Sequence, residues 1–143
     1  MRKFESVSFR DDVKLPRRAT KSSGGYDFFA NDEFEVLPGE SYVYWSGVKV
    51  VMPVNEVLLL VPRSSMGRYG IRFANTIGVI DSDYHNNPTT EGEIAFHFVN
   101  DGHLPWKVNV GDRIGQGIFV QYSTTYDDDA EGERTGGMGS TGK

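Results

Sequence analysis

Asp81 and Asp83 stand two residues apart, behind the apolar run Gly78-Val79-Ile80 and just ahead of Tyr84. On an extended backbone alternate side chains share a face, so both carboxylates point the same way for as far as a strand continues. Residues 93–99 (Glu-Ile-Ala-Phe-His-Phe-Val) read as a return strand with Ile94, Phe96 and Phe98 on one side. Carboxylates at the mouth of such a hairpin, with an aromatic beside them, suit activation of water next to a flat ligand. A turn carrying solvated acids explains the same residues. A cationic group lies upstream, where the apolar run Val57-Leu58-Leu59-Leu60-Val61 ends in Pro62-Arg63-Ser64-Ser65-Met66-Gly67-Arg68. Forked guanidinium contacts and hydroxyl donors at a rigid strand end make an anion cradle. The plainer alternative is a serine-capped turn with surface arginines.

Other polar residues sit where an apolar one is expected. Asp27 lies among core-type aromatics in Gly24-Gly25-Tyr26-Asp27-Phe28-Phe29-Ala30, where the paired glycines permit positive φ or a close backbone approach. A glycine turn entering a strand accounts for that stretch equally. Gln116, between Gly115 and Gly117, is either a satisfied core amide or a ligand contact. Asn75 either satisfies a turn backbone or reads a carbonyl edge. The run Asp127-Asp128-Asp129 is a solvated acidic segment or a metal site, and it precedes a glycine-rich end from Arg134 to Lys143. That end is no Walker A loop, because the lysine–hydroxyl order is wrong and no helix follows. It is a free tail, or an ordered lid offering N–H groups, Ser140, Thr141 and Arg134 to a polyphosphate.

The elements that must hold these groups read as short strands. Residues 4–9 alternate, and residues 42–52 make two short strands or one bulged strand around Ser46-Gly47. Residues 56–61 are expected to be buried on both faces. Trp106, Val108 and Val110 alternate into a Gly111-Asp112 turn, after which Ile114, Ile118 and Phe119 should pack inward. No amphipathic helix of ordinary length is present. Many short strands with glycine turns predict an all-β sandwich, jelly roll or barrel.

Composition narrows the chemistry. A chain of 143 residues makes one domain with a core of its own. Lys+Arg 15 against Asp+Glu 20 gives a net charge of −5, which argues against a nucleic-acid backbone binder. With Cys 0 and His 3, thiolate zinc sites and disulfides are excluded and an all-histidine metal site is not expected. No signal-type apolar segment or membrane-length run is seen, so no membrane is expected and the cytoplasm is the default.

Taken together, five islands resemble the trimeric deoxyuridine triphosphate nucleotidohydrolases (dUTPases), and the resemblance spans residues 24–143. They are Gly25-Tyr26-Asp27-Phe28-Phe29-Ala30; Pro62-Arg63-Ser64-Ser65 with Gly67; Gly78-Val79-Ile80-Asp81-Ser82-Asp83-Tyr84 with Gly92; Gly111-Asp112-Arg113-Ile114-Gly115-Gln116; and Arg134 with the glycines 136–142. The resemblance implies a distorted jelly roll over residues 1–122, with 123–143 as linker and arm. It also implies a homotrimer in which each site takes the first, second and fourth islands from one subunit, the third from a neighbour and the arm from the remaining one. The implied reaction is hydrolysis of dUTP to dUMP and pyrophosphate with Mg²⁺. By the same resemblance, Asp81 is the base for the attacking water. Asp27 meets the metal's water shell. Arg63, Ser64, Ser65, Gly67, Gln116, Arg134, Ser140 and Thr141 hold phosphates. Asn75, Gly78, Tyr84, Gly92, Ile94 and Met138 surround uracil and deoxyribose, the base being read mainly by the backbone around Asn75 and the hairpin at Gly92 to Ile94.

The chain departs from the family pattern in three places. Residues 85–91 intervene between Tyr84 and Gly92, at the mouth of the site. Met138 stands where the family usually has phenylalanine. The arm is one residue shorter between Arg134 and the paired glycines than in many members. Two rival readings remain. One is a dCTP deaminase-like activity, which Ser64 with Arg68 fits. However, the glutamate it requires on the return strand falls at His97, and Glu93 lies too early. The other is a regulatory protein partner bound through residues 85–91, as in some phage members with inserted segments.

Overall fold

A computed structural model describes residues 1–137 and 139. Eleven strands follow in order: β1 (Lys3–Ser6), β2 (Tyr26–Phe29), β3 (Phe34–Val36), β4 (Ser41–Trp45), β5 (Val48–Val51), β6 (Glu56–Val61), β7 (Ile71–Phe73), β8 (Gly78–Asp81), β9 (Ala95–Asn100), β10 (Trp106–Val108) and β11 (Arg113–Gln121). A five-residue helix, α1 (Ser64–Arg68), follows β6, and a single 3₁₀ turn (Ser82–Tyr84) follows β8. Every strand pair is antiparallel, in sheets ordered β2-β11-β6-β8 and β4-β9-β7 with two-stranded pairs β1-β5 and β10-β3. The architecture is an all-β, distorted jelly roll. No described helix is long and apolar enough to cross a membrane.

The two larger sheets close on an aromatic core. Phe28 of β2 meets Phe96 of β9 edge-on with centroids 5.1 Å apart, and Phe73 meets Phe96 at 5.6 Å. Edge-to-face contact suits the ring quadrupoles. The glycines of β11 make room for it. A Cβ on Gly115 would come within 2.9 Å of Phe96, and one on Gly117 within 2.9 Å of Leu58. Gln116 lies between them on the opposite face, so this stretch needs glycine on one side of the strand and tolerates an amide on the other.

Several expectations need correction. β6 is fully buried on one face only: Glu56, Leu58 and Leu60 are buried while Val57, Leu59 and Val61 are half-buried. Its charged member, Glu56, is paired with Arg2, more than fifty residues away in the chain. In β11, Ile114 is buried but Ile118 and Phe119 are only partly so, and Val110 is exposed. β8 and β9 form no hairpin. β8 pairs with β6, and the return strand β9 pairs with β4 and β7 in the other sheet. The cause is the break between β4 and β5. There the N–H and hydroxyl of the buried Ser46 donate to the Ile94 carbonyl, at 3.0 and 2.7 Å, and the Ile94 amide donates to Val48. This draws the start of the return segment away from β8.

Candidate active site

Asp81 is the last residue of β8, level with Val57 of β6. The 3₁₀ turn begins immediately after it, so Asp83 is not on the strand and the two carboxylates do not share a strand face. They meet through a third residue instead. Arg134 donates from Nη2 to Asp81 Oδ2 at 2.6 Å and from Nε to Asp83 Oδ1 at 2.7 Å. The two carboxylates hold the guanidinium pKa above its ordinary value, Asp83 most strongly. Tyr84 is buried, its hydroxyl donates to the Glu93 carbonyl at 2.6 Å, and burial pushes its pKa up.

These groups open on a cleft of about 390 Å³, a volume within the range of small-ligand sites. Its walls come from Leu60, Asn75, Gly78, Ile80, Ala95 and His97, and Arg134 and Gly137 of the arm close one side. Gly137 lies so near Tyr84 that a Cβ there would come within 2.5 Å of the ring. The structure thus brings Asp81, Tyr84, Asn75, Gly78 and Arg134 together. The Asn75 side chain donates to the Ile77 carbonyl at 3.2 Å, which is the turn role. Ile94 is not at the cleft. It is fully buried, and Ser46 and Val48 take up its backbone. Gly92, at φ +87, is packed under the inserted residues, where a Cβ would come within 2.8 Å of the Tyr84 carbonyl oxygen. Ala95 and His97 hold the wall that the sequence reading gave to Ile94. Alternation along β9 is the signal that points to them, once Phe96 and Phe98 are known to face the core. Met138, Ser140 and Thr141 lie outside the described residues.

The anion cradle forms a separate cluster. Arg63 is the N-cap of α1, no side chain caps that helix, and Ser64 and Ser65 make no side-chain hydrogen bond among the described residues. The serine-capped turn therefore does not describe this segment, and both hydroxyls remain available to a ligand. The carboxylate of Asp27 is flanked by Arg63 Nε at 3.4 Å and Arg113 Nε at 3.3 Å. Gln116 stands opposite Asp27 in the strand register and donates to the Pro62 carbonyl at 3.3 Å. Arg113 is a member of this cluster that the sequence reading did not select.

The two clusters lie at opposite ends of β6. Asp81 is level with Val57, whereas Arg63 continues past Val61. Six extended residues at ~3.3 Å each put roughly 20 Å between these backbone positions.

The inserted residues 85–91 are built into the fold. Asn87 is buried; its amide donates to the Tyr84 carbonyl at 2.7 Å and its carbonyl accepts from the Thr89 and Thr90 amides. Glu91 accepts from the Ser8 amide and hydroxyl and from Lys49, and these partners hold its carboxyl down at about 2, Lys49 most strongly. Thr89 donates to the Thr135 carbonyl at 2.5 Å, so the insertion also seats the arm. A carboxylate held below its ordinary value stabilises above that value and loses the effect as pH falls through the lowered one. The anchoring by Glu91 should therefore be complete above pH 4.5 and fade towards pH 2. Glu91→Gln at neutral pH should raise amide exchange several-fold over residues 85–91 while the core strands stay protected, as read by hydrogen-exchange mass spectrometry.

A jelly roll with a carboxylate at the rim of a nucleoside-sized cleft, and a guanidinium and hydroxyl cradle elsewhere on the same sheet, has the layout of a nucleotide-cleaving protein. The dUTPase family model matches residues 11–142, and the chain belongs to the dUTPase family. The deoxyuridine 5'-triphosphate nucleotidohydrolase of Lactococcus lactis subsp. lactis (strain IL1403) is 38% identical over 133 residues, covering 91% of this chain and 89% of its own. That of Haemophilus influenzae (strain PittEE) is 33% identical over 142 residues, covering 93% and 90%. The crystal structure of dUTPase from Streptococcus mutans superposes with a TM-score of 0.79 at 36% identity, covering 85% of this chain and 97% of that one.

Proposed function

We propose that this chain hydrolyses dUTP to dUMP and pyrophosphate. The observation that carries the reading is Asp81, half-buried at the rim of a cleft of nucleoside size. Asp81 orients a water and takes its proton as the water oxygen bonds to the α-phosphorus in line. The bond from that phosphorus to the bridging oxygen breaks, and pyrophosphate leaves. Tyr84 packs under the sugar and leaves no room for a 2′-hydroxyl. Arg63, Ser64, Ser65, Gly67 and Gln116 hold the phosphates, and Arg134, with Ser140 and Thr141 beyond it, closes over the γ end.

The donor set fits Mg²⁺ delivered with the substrate. No group of three metal-ligating side chains occurs among the described residues, and a single carboxylate, Asp27, stands in the phosphate cradle. An ion that keeps most of its waters and binds through substrate phosphates needs no more than that. When bound, it neutralises phosphate charge. The roughly 20 Å between Asp81 and Arg63 supports a homotrimer with shared sites, in which residues 1–122 form the catalytic jelly roll and residues 123–143 the arm. In this single chain the arm rests on its own Asp81 and Asp83, not on another subunit. The deaminase reading is not favoured. The Glu93 carboxylate is buried and accepts the Gly47 amide, while His97 holds the cleft wall.

Pyrophosphate release from dUTP, dCTP, dTTP and UTP, with and without Mg²⁺, tests the proposal. Turnover should be confined to dUTP, exceed the others by about 10²-fold or more, and collapse on chelation. Ammonia from dCTP, or no release from dUTP, would overturn it.

A further inference from the structure

One cleft side chain has no part in that chemistry. Along β9 the residues alternate: Phe96 and Phe98 turn into the core, and Ala95 and His97 line the cleft. The other polar side chains there have partners. Asp81 is paired with Arg134, the Tyr84 hydroxyl donates to Glu93, and the Asn75 amide donates to Ile77. The His97 carbonyl accepts the Ala74 amide at 2.8 Å, but its imidazole has no hydrogen-bond partner among the described residues. A half-buried imidazole beside Leu60, Gly78 and Ala95 is a donor without an acceptor on an otherwise apolar wall.

Its place in the cleft identifies the acceptor. Tyr84, the floor of the sugar, touches Glu93, just before β9 begins. His97 lies four residues further on, up to roughly 13 Å along the chain at ~3.3 Å per extended residue, level with Ala74. It therefore stands at the end of the cleft away from sugar and phosphates. On a pyrimidine nucleotide the 2-oxygen flanks the glycosidic bond, and the 4-substituent is the polar group farthest from the sugar. We propose that His97 is a specificity-determining residue whose imidazole N–H donates to the 4-oxygen of uracil. The inference rests on the reading of the cleft as a dUTP site. A cytosine 4-amino group could be met only by the other imidazole tautomer, and a base with hydrogen at this position would leave the imidazole unpaired.

The test compares dUTP with the 2′-deoxynucleoside triphosphate of 2-pyrimidinone, which lacks the 4-oxygen and the N3 proton, in the wild type, His97→Val and His97→Gln; the N3 difference is common to all three, so a change between them reports on the 4-position. The wild type should prefer dUTP. His97→Val should raise KM for dUTP about fivefold to tenfold with kcat changed less than about twofold, and leave KM for the analogue where it was. His97→Gln, which keeps an N–H donor, should recover part of the preference. An equal rise in KM for both compounds, or an unchanged preference in His97→Val, would overturn the assignment and mark the histidine as structural. A wild type that turns over neither compound would instead overturn the dUTP reading, and this inference with it.

Discussion

Asp81→Asn should bind dUTP about as well as the wild type and lose about 10²–10⁴-fold in kcat, the usual weight of a positioned proton acceptor. The substitution is isosteric. The asparagine oxygen can still accept from Arg134, which reaches Asp81 Oδ2 at 2.6 Å, so the arm and cleft keep their shape. What disappears is a group able to take the proton of the attacking water. A change confined to kcat and to kcat/KM in equal measure means that the interaction is made only in the transition state. Binding measured by titration calorimetry and turnover measured by pyrophosphate release separate the two quantities. A kcat near that of the wild type would show that another group accepts the proton.

The second large effect concerns which chains make a site. Arg63→Ala alone should cost about 10² or more in turnover, because one charged donor is removed from the phosphates. Arg113 remains beside Asp27 at 3.3 Å, so the substitution leaves no buried carboxylate unpaired. If sites are shared, equal amounts of Asp81→Asn and Arg63→Ala chains, unfolded and refolded together, should regain activity. Each site then needs an intact Asp81 from one chain and an intact Arg63 from another, and random mixing supplies that combination in about a quarter of the sites. Two nearly inactive preparations would thus yield an active mixture. If each chain carried a whole site, every site in the mixture would be damaged and no activity would return. The distance along β6 favours the first result.

The insertion shows how a local reading falls short. From the sequence, residues 85–91 are a polar loop at the mouth of a site. In the fold they are tied down by Asn87, by Glu91 with Ser8 and Lys49, and by Thr89 with Thr135. Three of those partners lie tens of residues away in the chain, beyond the reach of any pattern of neighbouring residues. The same limit hid Arg113 behind Asp27 and let Ile94 pass for a base contact. Alternation places Ile94 on the same side as Phe96 and Phe98, but which side faces the core depends on Ser46 capturing its carbonyl.

The sequence by itself determined the strand-rich class, the break at Ser46-Gly47, the glycine-flanked Gln116 and the order of the five islands. These depend on side-chain period, turn chemistry and residue type, all local properties. Only the tertiary structure decided that β8 and β9 part into different sheets, that one arginine spans Asp81 and Asp83, and that cradle and carboxylate stand at opposite ends of one strand. Those outcomes depend on which distant backbone groups find each other when the sheets close, and on a rise of ~3.3 Å per residue that no motif records.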